Sequence, residues 1–283
     1  MIGFKLWKIR HLAIIKKSCT IDFGGLSMRV LVNDRRAYVL SRSSGKGLQP
    51  HLLHALIQLS YQENFDYFLD IGANYGEFVA KVSPNIGRKT FAIEARRDVS
   101  LLLRKTFRDY QKIQVENVAI FSKNQEVTLY KLQGYSGGNS LHSAHLASLD
   151  PKTWWGTNGV INSEKVQGIT LDHFFKIHEL SFESNFLVKI DVEGHEKEVW
   201  DGASLVFSKA NLMYILLEFS PLILNSAGND PKVFWRQIQQ FPGIILDKKF
   251  DESKLDIELM TLPLEHPDQA VDVLIKVSPR GMR

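Results

Sequence analysis

Cysteine is almost missing from this chain. Cys19 is the single one in 283 residues, which excludes an internal disulfide framework and fits a reducing cytoplasm. Long apolar runs are missing too: none approaches the ~18 residues that a membrane-spanning helix needs. Charges interrupt every apolar stretch of the first 17 residues, so the start does not read as a signal peptide. Nor is there an excess of one charge over most of the sequence. The formal net charge of +4 is concentrated in residues 1–17, where Lys5, Lys8, Arg10, Lys16 and Lys17 stand with no acid, leaving 30 basic residues against 31 acidic ones. A near-neutral body lacks the concentrated basic face of a nucleic-acid binder. The basic start, Phe4 to Leu12, offers a peripheral contact with an anionic membrane, against the simpler reading of a solvated terminus. Hydrophobic residues make up 44% of the chain, enough for a sizeable core, and no linker divides it.

The most informative stretch is Phe65 to Phe78. An apolar run ends at Asp70, and Gly72 and Gly76 follow before a helical pattern begins, as where a buried strand turns into a helix around a nucleotide cofactor. A dinucleotide fingerprint requires glycine at its first, third and sixth positions, so that backbone N–H groups close on a pyrophosphate. Here those positions are Gly72, Asn74 and Glu77. Carboxylates at Asp70 and Glu77 would repel a pyrophosphate and attract a ligand carrying an ammonium or sulfonium, worth roughly 4 kcal/mol at ~4 Å before desolvation. S-adenosylmethionine carries both groups. Glu94 ends the next apolar run, 24 positions after Asp70, near the offset at which a carboxylate accepts from ribose hydroxyls.

The surrounding pattern is βαβαβ. Strands are expected at 67–71, 90–93 and 113–115, with amphipathic helices between them, and further alternation brings strands at 186–190, 212–217, 244–246 and 271–277. Such alternation implies a parallel sheet whose ligands sit outside the carboxyl ends of the strands. Asp70, Glu94 and Asn117 fall at three such ends, and Ala95 directly follows one of them. Ahead of this core, residues 1–60 read as an extension of basic segment, hairpin and helix. Residues 61–283 read as the main domain, interrupted at about 121–165 by a loop and β insertion. The stretch 134–163 is long and aperiodic, with Trp154 and Trp155 in its middle, which suits a lid or a pinned surface excursion. His142 and His145 lie three apart but have no second cluster to complete a metal site.

With these residues set out, the sequence resembles the FkbM family of S-adenosylmethionine-dependent methyltransferases. The resemblance rests on Asp70-Ile71-Gly72-Ala73-Asn74-Tyr75-Gly76, Glu94, Thr170-Leu171-Asp172, and the block from Lys189 to Glu196 running on to Asp201-Gly202-Ala203. It implies a Rossmann-like class I methyltransferase fold: six parallel strands and an antiparallel seventh, Val271 to Val277, with helices on both faces. It also implies O-methylation of a hydroxyl on a sugar or small secondary metabolite, with S-adenosylmethionine held by Asp70, Gly72, Asn74, Gly76, Glu94, Ala95, Asn117 and Asp191. In one respect the chain departs from the family: Ala95-Arg96-Arg97 follows the ribose-type acid where a proline is usual.

Methyl transfer to an alcohol requires alignment and a place for the hydroxyl proton. Asp191, Glu193 and His195 share the tip of the fourth strand. Asp191 is expected to orient the acceptor or the methionine end of the cofactor, and His195 or Glu193 to act as base. The plainer alternatives are an exposed His195 and a Glu193 that caps its own helix. Asp191 with Glu218 also suits a divalent cation, although no metal-specific spacing supports one. An NAD-type oxidoreductase and a non-catalytic cofactor-binding scaffold are the competing readings.

Overall fold

The computed structural model describes residues 18–142, 161–246 and 268–278. The basic N-terminal segment, His145, Trp154 and Trp155 lie outside the described residues, and with them the expectations placed there.

Alternating apolar residues pair Ser18–Phe23 (β1) with Leu26–Leu31 (β2) as an antiparallel hairpin that turns through Gly24 and Gly25, both at positive φ. Asp34 then caps helix Arg35–Arg42 (α1), accepting from the Ala37 N–H at 3.1 Å. Pro50–Gln62 (α2) leads into Tyr67–Ile71 (β3), Glu77–Val82 (α3), Lys89–Ile93 (β4), Arg97–Thr106 (α4) and Ile113–Glu116 (β5). Ala119–Ile120 (β6), Gln125–Leu132 (β7) and Ile161–Ile169 (β8) form a separate three-stranded sheet. The main alternation resumes with Leu171–Ile177 (α5), Asn185–Ile190 (β9), Glu196–Asp201 (α6), Ser204–Lys209 (α7), Leu212–Phe219 (β10), Pro221–Ser226 (α8), Pro231–Ile238 (α9), Gly243–Ile245 (β11) and Val271–Val277 (β12).

The large sheet has the order β11-β12-β10-β9-β3-β4-β5. β5, β4, β3, β9 and β10 pair in parallel. β12 runs antiparallel to both β10 and β11, so six strands share one direction and the seventh opposes them. Side chains alternate across β3: Tyr67, Leu69 and Ile71 enter the core under α5, α6, α7 and α9, whereas Phe68 enters the core under α2 and α3. β3 is buried at every position, as a central parallel strand covered on both faces must be.

Two expected elements differ. Between β9 and β10, where the alternation calls for one helix, there are two short ones, and Gly202 between them passes so close to the Phe121 carbonyl oxygen that a Cβ there would collide with it. Thr170 and Asp172 are structural. Thr170 caps α5 through the His173 N–H at 3.0 Å, and Asp172 caps α7 through the Leu205 and Val206 N–H groups, both at 3.0 Å.

Candidate active site

The glycine turn is shaped by contact between two strand tips. Gly72 adopts φ +87°, and its N–H and that of Ala73 both donate to the Ile93 carbonyl, at 2.9 and 3.0 Å. A Cβ at Gly72 would run into the carbonyl oxygen of Asp191, whose own N–H donates to Ile71 at 3.1 Å. Only glycine fits there. Gly76, at φ +85°, starts α3 against Leu103 and Phe107. Between the glycines Asn74 sits at φ +48°, a conformation that asparagine tolerates better than most residues. Its side chain donates to the Ser136 carbonyl (3.0 Å) and accepts from the Ser136 hydroxyl (3.1 Å).

Glu94 closes the turn from the side. Its two carboxylate oxygens accept the Asn74 and Arg96 N–H groups, each at 2.8 Å. Each oxygen keeps a further lone pair for another donor. Asn117 braces the same tip, donating to the Glu94 and Ala95 carbonyls at 2.9 and 2.8 Å. Where the family usually has proline, the Arg96 guanidinium fixes the loop by gripping Asp98 at 2.6 and 3.0 Å and Asn139 at 3.3 Å.

The open negative charges expected at Asp70 and Glu77 are a correction. Glu77 accepts from the Arg36 guanidinium (2.7 Å) and the Leu48 N–H (2.9 Å), so its charge is already matched. Asp70 lies buried beneath the turn, 3.7 Å from the Lys189 ammonium. Lys189 also holds Asp191 at 3.0 Å. Lys189, which opens the block shared with the family but was given no role from the sequence, is the buried cation that ties the tips of β3 and β9 together.

The turn after β9 is organised by Glu196. Its carboxylate accepts from Val192 N–H (3.1 Å) and from Gly194 N–H at 3.1 and 3.3 Å, so Glu196 rather than Glu193 does the local capping. Glu193 is held at φ +53°, a strained position for a residue with a side chain, and its carbonyl accepts from the Ser140 hydroxyl at 2.9 Å. His195 is 4% exposed, not the surface residue that the plainer alternative required. Neither ring nitrogen has a hydrogen-bond partner among the described residues. The closest charge is the Glu198 carboxylate, 3.6 Å from Nδ1, which is itself held by Asn229 at 3.0 Å.

These groups converge on one cleft of about 670 Å³, open mouth included. Gly72, Asn74, Glu94, Ala95, Asp191, Glu193 and His195 all line it; Asp70, Gly76 and Asn117 do not. Val118, Ile120, Leu129 and Leu141 form its apolar wall, and Ser136, Gly137 and Asn139 close over it from the insertion. Arg36, from α1, lines it as well.

Burial governs the titration of these acids. Burial pushes Glu94 up to about 7, Asp70, partly offset by Lys189, to about 6, and Glu193 well above the ordinary range, with the Asp191 charge adding to the last. Asp191 itself is lowered, because the Lys189 and Arg36 charges outweigh its burial. Glu218 is raised by burial and by the Asp191 charge beside it. Among the described residues no group of three or more His, Cys, Asp or Glu could hold a metal ion.

A raised carboxyl pKa has a definite sign in stability. Between the ordinary value of 4.5 and about 7 the folded chain binds more protons at Glu94 than the unfolded chain. That contribution is therefore complete below 4.5 and lost as pH rises through about 7. Glu196 and Asp272, both also near 7, act in the same direction. Asp98, Asp191 and Glu198, all lowered, act in the opposite sense and lose their contribution in acid. Urea unfolding of the ligand-free protein should therefore show stability declining from about pH 5.5 to about pH 8. A rise across that interval would contradict the burial of these acids.

A parallel sheet with one opposed strand beside its edge, and a cleft at the tips of β3, β4 and β9, defines the class I methyltransferase fold. Residues 70–242 match the family model of the methyltransferase FkbM domain. The chain belongs to that family, whose members take their methyl group from S-adenosylmethionine. Comparison with curated proteins finds no match. Among solved structures, the chain is similar to an O-methyltransferase from Bacillus cereus in complex with S-adenosylhomocysteine (9% identity, 86% of this chain and 87% of that one, TM-score 0.45). It is also similar to an S-adenosylmethionine-dependent O-methyltransferase from Thermotoga maritima (8%, 88% and 73%, TM-score 0.41). A third similarity is to a precorrin-6y C5,15-methyltransferase from Geobacter metallireducens (11%, 82% and 88%, TM-score 0.38). Similarities this slight decide nothing about the acceptor.

Proposed function

We propose that this methyltransferase acts on a hydroxyl oxygen of a sugar, a glycan or a small secondary metabolite, and that His195 is the base. The observation that carries the reading is a buried imidazole in the cleft with no hydrogen bond to either nitrogen and a carboxylate behind one of them. Glu198 favours the tautomer with the proton on Nδ1, which leaves Nε2 to accept one. An alcohol is a poor nucleophile until its proton has somewhere to go, so a poised base argues for oxygen over an amine already carrying a free lone pair. Glu193 is the weaker candidate: burial and the Asp191 charge raise its pKa, which favours the protonated carboxyl, a hydrogen-bond donor, over the form that removes a proton.

The chain's residues fit the cofactor on their own geometry. Gly72 provides a backbone surface that any Cβ would obstruct, and Glu94 keeps lone pairs for ribose hydroxyls. The acids that line the cleft are Glu94, Asp191 and Glu193 rather than Asp70 and Glu77. When bound, the sulfonium supplies an electrophilic methyl carbon. Asp191, ionised and fixed by Lys189, holds its ligand in place, while Nε2 of His195 receives the acceptor's proton.

Glu94→Ala should weaken binding of S-adenosylhomocysteine about 10- to 100-fold in calorimetry, the loss of hydrogen bonds to a charged acceptor worth ~1.5–3 kcal/mol. Unchanged affinity would remove Glu94 from the ribose site. The acceptor class is tested by supplying a methyl-labelled donor with a panel of sugars and polyols. Label in a base-stable ether supports the proposal, and label on nitrogen or carbon, or in a base-labile ester, refutes it. NAD should leave the melting temperature unchanged.

The near-neutral body favours a small-molecule or glycan acceptor over nucleic acid. Among the described residues no helix is long and apolar enough to cross a membrane. A cytoplasmic location is inferred from the single, unpaired cysteine.

A further inference from the structure

We infer that Arg36, supplied by the N-terminal extension, binds the carboxylate of the cofactor's methionine moiety, so that the extension is part of the cofactor site. This rests on reading the cleft as the S-adenosylmethionine site. The family match begins at residue 70, so no family motif reaches Arg36.

Asp34 caps α1 and also accepts the Ser136 N–H at 2.7 Å, and the Arg35 N–H donates to Gly134 at 2.9 Å. Both bonds fix the start of α1 against the loop that closes over the cleft. Arg36 follows within the same turn. Its guanidinium pairs with Glu77 through Nη2, while its Nε makes no hydrogen bond among the described residues. The side chain is 11% exposed and lines the cleft. Gly137 lies over it: a Cβ there would come within 3.1 Å of Nη1.

Charge then says what the guanidinium is for. Glu77 neutralises Arg36, but a planar fork has five N–H donors and one carboxylate cannot use them all. Beyond Glu77 and Tyr135, the groups acting most strongly on Arg36 are Asp191 and Glu193, at the tip of β9. β9 and β4 flank β3 on opposite sides, so this tip stands about 10 Å from the Glu94 tip. A ligand whose ribose is held by Glu94 therefore presents its other end to Arg36 and Asp191. That end of S-adenosylmethionine is a zwitterion. Asp191, ionised, matches the ammonium, and among the described residues that line the cleft Arg36 supplies the cation to match the carboxylate.

The test uses the full chain and two ligands that differ in the amino-acid part: S-adenosylhomocysteine, which has the carboxylate, and 5′-methylthioadenosine, which lacks it. Removing Arg36 alone would strand a buried Glu77 charge, so the variant is the double substitution Arg36→Met with Glu77→Gln. Calorimetry should show S-adenosylhomocysteine bound about 10- to 100-fold more weakly and methylthioadenosine within about twofold of wild type. Glu77→Gln alone should keep both affinities. If the double variant does not fold, Arg36→Gln, whose amide can still donate to Glu77, carries the same expectation. A folded variant with wild-type affinity for S-adenosylhomocysteine, or an equal loss for both ligands, overturns the assignment. If the wild-type chain binds neither ligand, the cofactor reading falls, and the role of Arg36 with it.

Discussion

Replacing His195 with alanine should lower turnover about 10²- to 10⁴-fold, the usual contribution of a positioned base. Affinity for S-adenosylhomocysteine should stay within a few-fold of wild type, because the groups assigned to the cofactor are elsewhere. The backbone role of residue 195 survives the change, since the bond it makes to α6 is from its carbonyl to the Val199 N–H at 3.1 Å. Added imidazole should restore part of the variant's rate. Glu193→Gln provides the contrast. Burial and the Asp191 charge favour the protonated form of Glu193, which an amide imitates, so this variant should keep most of its turnover. Retained turnover in His195→Ala, or a collapse in Glu193→Gln with His195 intact, would exchange the two roles.

Much of this site was legible because parallel sheets bring the ends of distant strands to one edge. Gly72, Glu94, Asp191 and His195 stand where apolar runs stop, and that was enough to place them in one cleft. Where a side chain points was not legible. Asp70 and Glu77 looked like ligand charges because each adjoins the glycine turn, but Asp70 follows Leu69 and so projects to the opposite face, under α2 and α3, where it meets Lys189. Glu77 was misread because its partner, Arg36, is 41 residues upstream in a separate short helix, and nothing in the sequence pairs the two. Lys189 gave no signal beyond a charge inside an apolar strand, Phe186-Leu187-Val188-Lys189-Ile190. A charge in a fully buried run is itself a reason to look for acids at neighbouring strand tips. β8 was harder, since Ile161-Asn162-Ser163-Glu164-Lys165-Val166 alternates with too few apolar residues to mark an inner face, and its pairing with β7 supplies the order.

The largest stability effect is expected at Gly72. Alanine there meets two separate costs, which a second glycine can separate. A residue with a Cβ at φ +87° is strained by ~1–2 kcal/mol wherever it lies. Gly228 has nearly the same conformation, φ +84°, with nothing within 4 Å of the position a Cβ would take, so Gly228→Ala should show that strain alone. At Gly72 the Cβ also collides with the Asp191 carbonyl oxygen. β3 and β9 are held at that point by the bond from Asp191 N–H to Ile71, so neither can yield without opening the sheet where Lys189 joins Asp70 to Asp191. The collision should add at least ~2–3 kcal/mol, as for other overpacked sites. In a chain of this size that gives a melting temperature lower by roughly 6–15 °C in all, against about 2–6 °C for Gly228→Ala. Because the same movement displaces the Asn74 N–H from Glu94, Gly72→Ala should also bind S-adenosylhomocysteine too weakly to stabilise the fold, whereas Gly228→Ala should respond as wild type does. Equal melting temperatures for the two variants would show that the strand tips part easily, and the cleft would then not be the rigid cradle on which the cofactor assignment depends.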